Sequence, residues 1–158
     1  MKKRSIWIAA LCAALAAGGI ALFFHSRALL APDSTPRIGM IQVTVGRDGA
    51  AYDCDLSEEE IPPEQEAALL ALLDTARIRR RVLPYPQNYA VLDDSVHITI
   101  WVLSDTGTPS MDVYLCSRSD YNAAQIGDTR YAIVDAPALY EKVYALLEET
   151  VQERAVKR

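Results

Sequence analysis

Hydrophobic and polar residues form three different patterns along this chain, and each pattern predicts a different element. The run Ile6–Phe24 contains no charged residue. It is about as long as the 20 residues that a helix needs to cross the hydrocarbon core of a bilayer. Apolar and polar residues alternate over 41–45 and 96–103, which predicts strands. Apolar residues recur at helical spacing before residue 77 and predict a helix with one buried stripe: Leu69, Leu72, Leu73 and Ala76.

Turn and cap residues predict how these elements begin and end. Asp48-Gly49 is a strong hairpin signal, so the segment 51–56 is expected to return as a strand. Ser57 and Glu60 have the spacing of a capping box, with Pro62-Pro63 in the first turn of the helix that follows. The first half of the chain beyond residue 37 is therefore predicted to form two strands followed by a helix, β-β-α.

The second half predicts more strands and a final helix. Strands are expected at 111–116 and 129–134, with a weaker one at 77–83 and a polar loop at 117–128. Asp135 can cap the last helix, because a short carboxylate accepts hydrogen bonds from the first backbone N–H groups. The inner face of that helix is predicted to carry Leu139, Val143, Leu146, Leu147 and Thr150.

The whole order predicts an α+β protein. An N-terminal transmembrane helix precedes a mainly antiparallel sheet, β-β-α-β-β-β-β-α, with two amphipathic helices on one face. We divide the chain into a cytoplasmic N-terminus (1–5), an anchor (6–24), a linker (25–37), an extracytoplasmic domain (38–151) and a charged tail (152–158).

Basic residues around the apolar run predict its orientation. Lys2, Lys3 and Arg4 precede the run, and Arg27 is the one strong base just after it. Positive charge favours the cytoplasmic side, so we expect a single-pass protein of the cell membrane with its C-terminal domain outside. A cleaved signal peptide is the alternative, with Ser26-Arg27-Ala28 as a passable cleavage site, and it exports the same domain.

The exported part is acidic. Residues 33–158 hold 12 of the 16 basic residues and all 21 acidic ones, a net charge of −9. This charge argues against a nucleic-acid partner and predicts repulsion from an anionic membrane surface. The compartment allows a disulfide between Cys54 and Cys116, but a core of this size does not need one, so two separate buried thiols are expected.

Catalytic and metal motifs are sparse in the predicted domain. His97 is its one histidine, which excludes multi-histidine metal sites, and no nucleophile elbow or phosphate-binding glycine loop occurs. Asp53 and Asp55 share one side of a strand and can hold a cation, although a solvated strand face explains them as well. We predict no catalytic residue, metal or cofactor.

One face of the predicted sheet offers a binding surface. If the apolar residues of 96–103 point at the helices, Trp101 points away, together with Tyr114 of the next strand. Arg79 and Arg81 share one side of the strand at 77–83. Arg79, Arg81, Trp101 and Tyr114 are therefore the predicted binding residues, suited to a peptide, a glycan or an acidic partner. Packing of aromatic side chains under arginines on an open sheet is the alternative.

Three passages carry a resemblance to known proteins: LLALLDTARIRRR (69–81), VHITIWV (96–102) and RYAIVDAPALYEKVYALL (130–147). They cover about half of the chain and resemble the small uncharacterised domains that follow a single membrane anchor or lipid attachment in Gram-positive bacteria. The resemblance implies an exported α+β domain and assigns no activity and no functional residue.

These observations favour a non-catalytic extracytoplasmic module that binds or senses an envelope protein, a peptide or a glycan. A small cell-envelope hydrolase is the second hypothesis, with His97 as the base and Asp93 or Asp94 as its partner. A structural subunit or inhibitor of another envelope protein is the third.

Overall fold

The strands that the structure describes form one antiparallel sheet of nine strands. The computed structural model describes residues 12–21, 25–31, 35–81, 94–104, 111–118 and 122–157. Its strands are β1 (Arg27–Ala28), β2 (Pro36–Arg47), β3 (Ala50–Ser57), β4 (Arg77–Arg80), β5 (Val96–Ser104), β6 (Met111–Cys116), β7 (Ala123–Ile126), β8 (Thr129–Val134) and β9 (Val156–Lys157). They lie in the order β1-β4-β8-β7-β6-β5-β2-β3-β9. The predicted α+β class and antiparallel sheet are confirmed.

Helices α2 (Pro63–Thr75) and α3 (Ala136–Arg154) cover one face of this sheet. Leu69 and Leu73 of α2 are fully buried, as the helical stripe predicts. They join a single core with inward residues of the central strands, among them Ile41, Val43, Ile98, Ile100, Val113 and Leu115. Burial of this apolar surface, worth about 25 cal/mol per Å², is the main force that holds the layers together.

The buried side of α3 differs from the predicted one. Leu139, Val143 and Leu147 are buried as expected, but Leu146 is 36 % exposed and Thr150 is only half-buried. Tyr140 and Val151 take their places in the core. Leu146 and Leu147 are neighbours about 100° apart around the helix, so a helix on one face of a sheet buries only one of them fully.

Turns with positive φ close two hairpins. Asp48 and Gly49 have φ of 51° and 71° and join β2 to β3, which confirms the predicted turn. Gly127, with φ of 57°, begins the turn between β7 and β8. The prediction of a loop over 117–128 is wrong at its C-terminal part, because residues 123–126 pair with both β6 and β8.

The capping-box residues lie one element earlier than expected. The Glu60 carboxylate accepts hydrogen bonds from the backbone N–H and the hydroxyl of Ser57, at 2.9 and 2.8 Å, and closes a 3-10 turn at Glu58–Glu60. It also pairs with Arg154 at the end of α3. These hydrogen bonds, first from Ser57 and then from Arg154, lower the pKa of Glu60 to about 2. Helix α2 itself begins at Pro63.

Both ends of the domain enter the sheet where the sequence predicts a linker and a charged tail. Arg27 and Ala28 pair with β4, and Leu29 and Leu30 are buried in the core at 4 % and 7 % exposure. At the other end, β9 pairs with β3 along Tyr52 and Asp53. The sheet therefore begins inside the segment 25–37.

Residues 12–21 form a further helix, α1, all of whose residues are exposed. The rest of the predicted anchor, 6–11 and 22–24, lies outside the described residues. None of the helices in the described part of the chain combines the length and the apolar character that crossing a membrane requires.

Candidate functional site

The face of the sheet opposite α2 and α3, called here the helix-free face, carries the candidate site. In an antiparallel sheet, residues paired across strands point to the same side. One row of pairs joins Tyr114 to Thr99 and Thr99 to Gln42, and the next row joins Asp112 to Trp101 and Trp101 to Met40. The register therefore confirms that Trp101 and Tyr114 share this face on neighbouring strands.

Burial divides the helix-free face into a closed part and an accessible part. His97 and Thr99 of β5 are 4 % and 9 % exposed, and Ala123 of β7 is 1 % exposed. By contrast, Trp101, Asp112 and Tyr114 are half-buried. Along β5, the Trp101 end of the helix-free face is therefore accessible and the His97 end is closed.

Tyr114 contacts two charged groups, one through its hydroxyl and one at its ring. Its hydroxyl donates a hydrogen bond to Oδ2 of Asp112 at 3.2 Å. The Arg130 guanidinium lies 5.8 Å from the Tyr114 ring centroid, within the range of a cation–π contact. Nε of Arg130 in turn donates to Oε1 of Gln125 at 3.0 Å. Burial, and next the Asp112 carboxylate, raise the pKa of Tyr114, so its hydroxyl remains a proton donor at neutral pH.

The structure separates the two predicted arginines from the aromatic pair. Arg79 lies in the same row as Tyr114, but Ala132 and Ala123 stand between them on β8 and β7. Arg81 is half-buried just beyond the end of β4. Arg130 is the arginine at the Tyr114 ring. The sequence prediction missed it because its place depends on the register of β7, a strand predicted as loop; the Gly127-Asp128 dipeptide is the signal that indicates that hairpin.

His97 belongs to a buried polar cluster at the other end of β5. Its Nε2 lies 3.0 Å from Oγ of Ser95 and 3.8 Å from Sγ of Cys116. The backbone N–H of Arg118 donates to the same sulfur at 3.3 Å. The backbone N–H of Cys116 donates to Oδ1 of Asn122 at 2.7 Å. The cluster thus joins the ends of β5 and β6 and the entry to β7.

The pKa shifts of His97 and Cys116 are those of groups with a structural role. Burial raises the pKa of the Cys116 thiol, and burial followed by the charge of Arg118 lowers the pKa of the His97 imidazole. Both shifts favour a neutral thiol and a neutral imidazole over the thiolate–imidazolium pair that a nucleophilic cysteine needs. Of the two carboxylates predicted to assist His97, Asp94 is exposed, and Asp93 lies outside the described residues.

The remaining candidate groups also have structural surroundings. Cys54 and Cys116 are separate buried thiols in the structure, as expected. The Asp53 carboxylate accepts a hydrogen bond from the Thr44 hydroxyl at 2.7 Å across β2 and β3, while Asp55 is exposed. Within the described residues, no three acidic, cysteine or histidine side chains come together in a way that could hold a metal ion.

Comparisons of the chain with protein-family models, with curated proteins and with solved structures give no match.

Proposed function

We infer that this protein is a single-pass membrane protein whose extracytoplasmic domain binds a ligand or a partner protein on its helix-free face. The main support for this proposal is that Trp101, Asp112 and Tyr114 are half-buried on this face, with Arg130 at the tyrosine ring. Aromatic rings beside a carboxylate and a guanidinium combine stacking surface with fixed hydrogen-bonding groups, as small-ligand and peptide sites do.

The anchor, residues 6–24, is part of this proposal. It is supported by the uncharged run in the sequence and by the exposure of the residues of α1, where Leu15 and Ile20 are 67 % and 59 % exposed. Large apolar side chains left exposed along a helix are costly in water and favourable in lipid. The basic residues before the run support a cytoplasmic N-terminus and an external domain.

Several features support binding rather than catalysis. Cys116 and His97, which have nucleophile and base chemistry, are buried on the helix-free face, and burial shifts the pKa of each in the direction that favours its neutral form. The accessible part of the face offers stacking and hydrogen-bonding groups instead. A peptide, a glycan or an envelope protein remains the partner class that this chemistry fits.

Substitution on the helix-free face tests the proposal. The full chain, displayed in its own membrane, is cross-linked to envelope proteins and probed with cell-wall glycans and peptides. We expect Trp101→Ala and Tyr114→Ala to reduce capture of the bound partner at least about fivefold, the loss expected when an interface anchor worth more than 1 kcal/mol is truncated.

Leu146→Ala is the matched control, because Leu146 is exposed on the helix layer at the other side of the sheet. Thermal unfolding of each variant confirms that the domain is folded. Equal capture by the wild type, Trp101→Ala and Leu146→Ala would remove the helix-free face from consideration as the binding surface.

A further inference from the structure

Arginines gather along the edge of the sheet where the chain enters the domain. Arg27 of β1 and three arginines of β4 are all exposed, and we call this set the arginine edge: Arg27, Arg77, Arg79 and Arg80. The segments 25–31 and 76–81 contain no acidic residue. An acidic domain of net charge −9 thus carries a local basic stripe at one edge.

The arginine edge presents charge on both sides of the sheet. Arg79 pairs with Ala132 on the helix-free face, and Arg77 lies two residues before it on the same side. Arg27 pairs with the core residue Ile78 and therefore points to the helix-bearing side, where its guanidinium lies 4.7 Å from the Tyr131 ring centroid. Guanidinium groups on both sides of a strand suit a broad anionic surface better than a single small anion.

The chain fixes this edge close to the end of the proposed anchor. Two residues, His25 and Ser26, separate residue 24 from Arg27, a span of about 10 Å at most. Arg77 holds that connection by donating to the carbonyl and the hydroxyl oxygens of Ser26, at 2.9 and 3.1 Å. Beyond β1, the N–H of Leu29 donates to the carbonyl of Ala76 at 2.9 Å. The domain therefore follows the anchor without a free tether.

We propose that the arginine edge rests on the bilayer that holds the anchor and binds the phosphates of anionic phospholipid headgroups. Guanidinium groups match phosphate oxygens with paired hydrogen bonds, and basic residues beside an anchor strengthen attachment to anionic lipid. This inference rests on the proposed anchor. It adds an orientation: β1 and β4 lie toward the membrane, and the β2–β3 turn lies away from it.

Arginine-selective dicarbonyl labelling tests the contact. The full chain is reconstituted in nanodiscs of phosphatidylcholine alone or of phosphatidylcholine with phosphatidylglycerol, and mass spectrometry follows the modification of each arginine. We expect Arg79 and Arg80 to react about fivefold more slowly in the anionic discs, because each basic residue near the surface gains attraction. In roughly 1 M salt, where the Debye length falls to about 3 Å, most of this difference should vanish.

Arg47 is the internal control. It lies at the β2–β3 turn with 75 % of its side chain exposed, and four strands separate β2 from β4. Its reaction rate should be the same in both kinds of disc. Equal rates for Arg79 in the two discs would overturn the inference, and so would slowing of Arg79 by soluble polyglutamate but not by anionic lipid.

An alkaline wash before labelling separates this inference from the proposed function. Loss of the chain from both kinds of disc would overturn the anchor and this inference together. Retention in both kinds, with Arg79 equally reactive in each, would leave the anchor in place and reject the contact of the arginine edge alone.

Discussion

His97 is a buried imidazole whose protonation the fold opposes. Burial, and then the charge of Arg118, lower its pKa from the ordinary value of 6.5. Between the lowered pKa and 6.5 the unfolded chain binds a proton that the folded chain does not. The stability due to neutral His97 is therefore fully present above pH 6.5 and is lost as the pH falls below it.

We expect His97→Gln to flatten this part of the pH dependence. Urea unfolding at pH 7.5 and at pH 5.5 measures the change in unfolding free energy. Between these two pH values, the wild type should lose more unfolding free energy than His97→Gln. His25→Gln is the control, because His25 is exposed outside the strands. A wild-type slope retained in His97→Gln would show that other groups carry the pH dependence.

The two hydrogen-bond partners of Glu60 show which contacts the local spacing of residues predicts. Ser57 and Glu60 have the spacing of a capping box, and their hydrogen bonds form as that spacing predicts. The partner of Glu60 at the end of α3, Arg154, lies 94 residues along the chain. Local spacing predicted the first contact, and only the packing of distant elements produced the second.

At the scale of elements, α3 shows what periodicity leaves open. Leu146 and Leu147 both fit an apolar stripe, and the sequence predicts that both face inward. The structure buries Leu147 completely and leaves Leu146 36 % exposed. The angle at which a helix meets a sheet selects between neighbours on its apolar side, and that angle depends on the side chains across the interface.

Two matched truncations test this assignment of the face. Leu147→Ala should lower the unfolding free energy by about 2–5 kcal/mol, because it leaves a cavity in the core. Leu146→Ala should cost roughly 0.5 kcal/mol, as surface substitutions do. Chemical denaturation measures both values, and similar losses in the two variants would contradict the observed orientation of α3.

Strand prediction succeeded where the pattern was long and failed where it was short. Alternation over 96–103 predicted β5 and the shared face of Trp101 and Tyr114. The four residues of β7, of which Ala123 and Ala124 have small side chains, give too little alternation to be recognised. The strand pattern therefore does not predict Arg130 at the Tyr114 ring, although the Gly127-Asp128 turn marks that hairpin.

At the scale of the whole molecule, residues 27–30, within the predicted linker, are part of the domain. Leu29 and Leu30 lie in the core, so the domain begins almost directly after the proposed anchor. Leu30→Ala should therefore destabilise the domain by about 2–5 kcal/mol. Chemical unfolding of the full chain measures this loss, with Leu146→Ala as the exposed leucine for comparison. Unchanged stability in Leu30→Ala would restore the interpretation of 25–37 as a simple linker.

At this scale, the distribution of charge over the surface also differs from what the net charge predicts. The net charge of −9 predicts repulsion from an anionic membrane, yet the fold brings Arg27 beside β4 and concentrates basic residues at one edge. A net charge sums over the surface, whereas contact with a bilayer depends on the edge that faces it.

The sequence by itself determined the uncharged run Ile6–Phe24, the α+β class, the hairpin at Asp48-Gly49 and the inward faces of the long strands, because these follow from composition and short-range periodicity. Only the tertiary structure decided which strands are neighbours, which side of α3 is buried and which arginine meets Tyr114. Those outcomes depend on pairing between residues far apart in the chain, and no local pattern encodes that register.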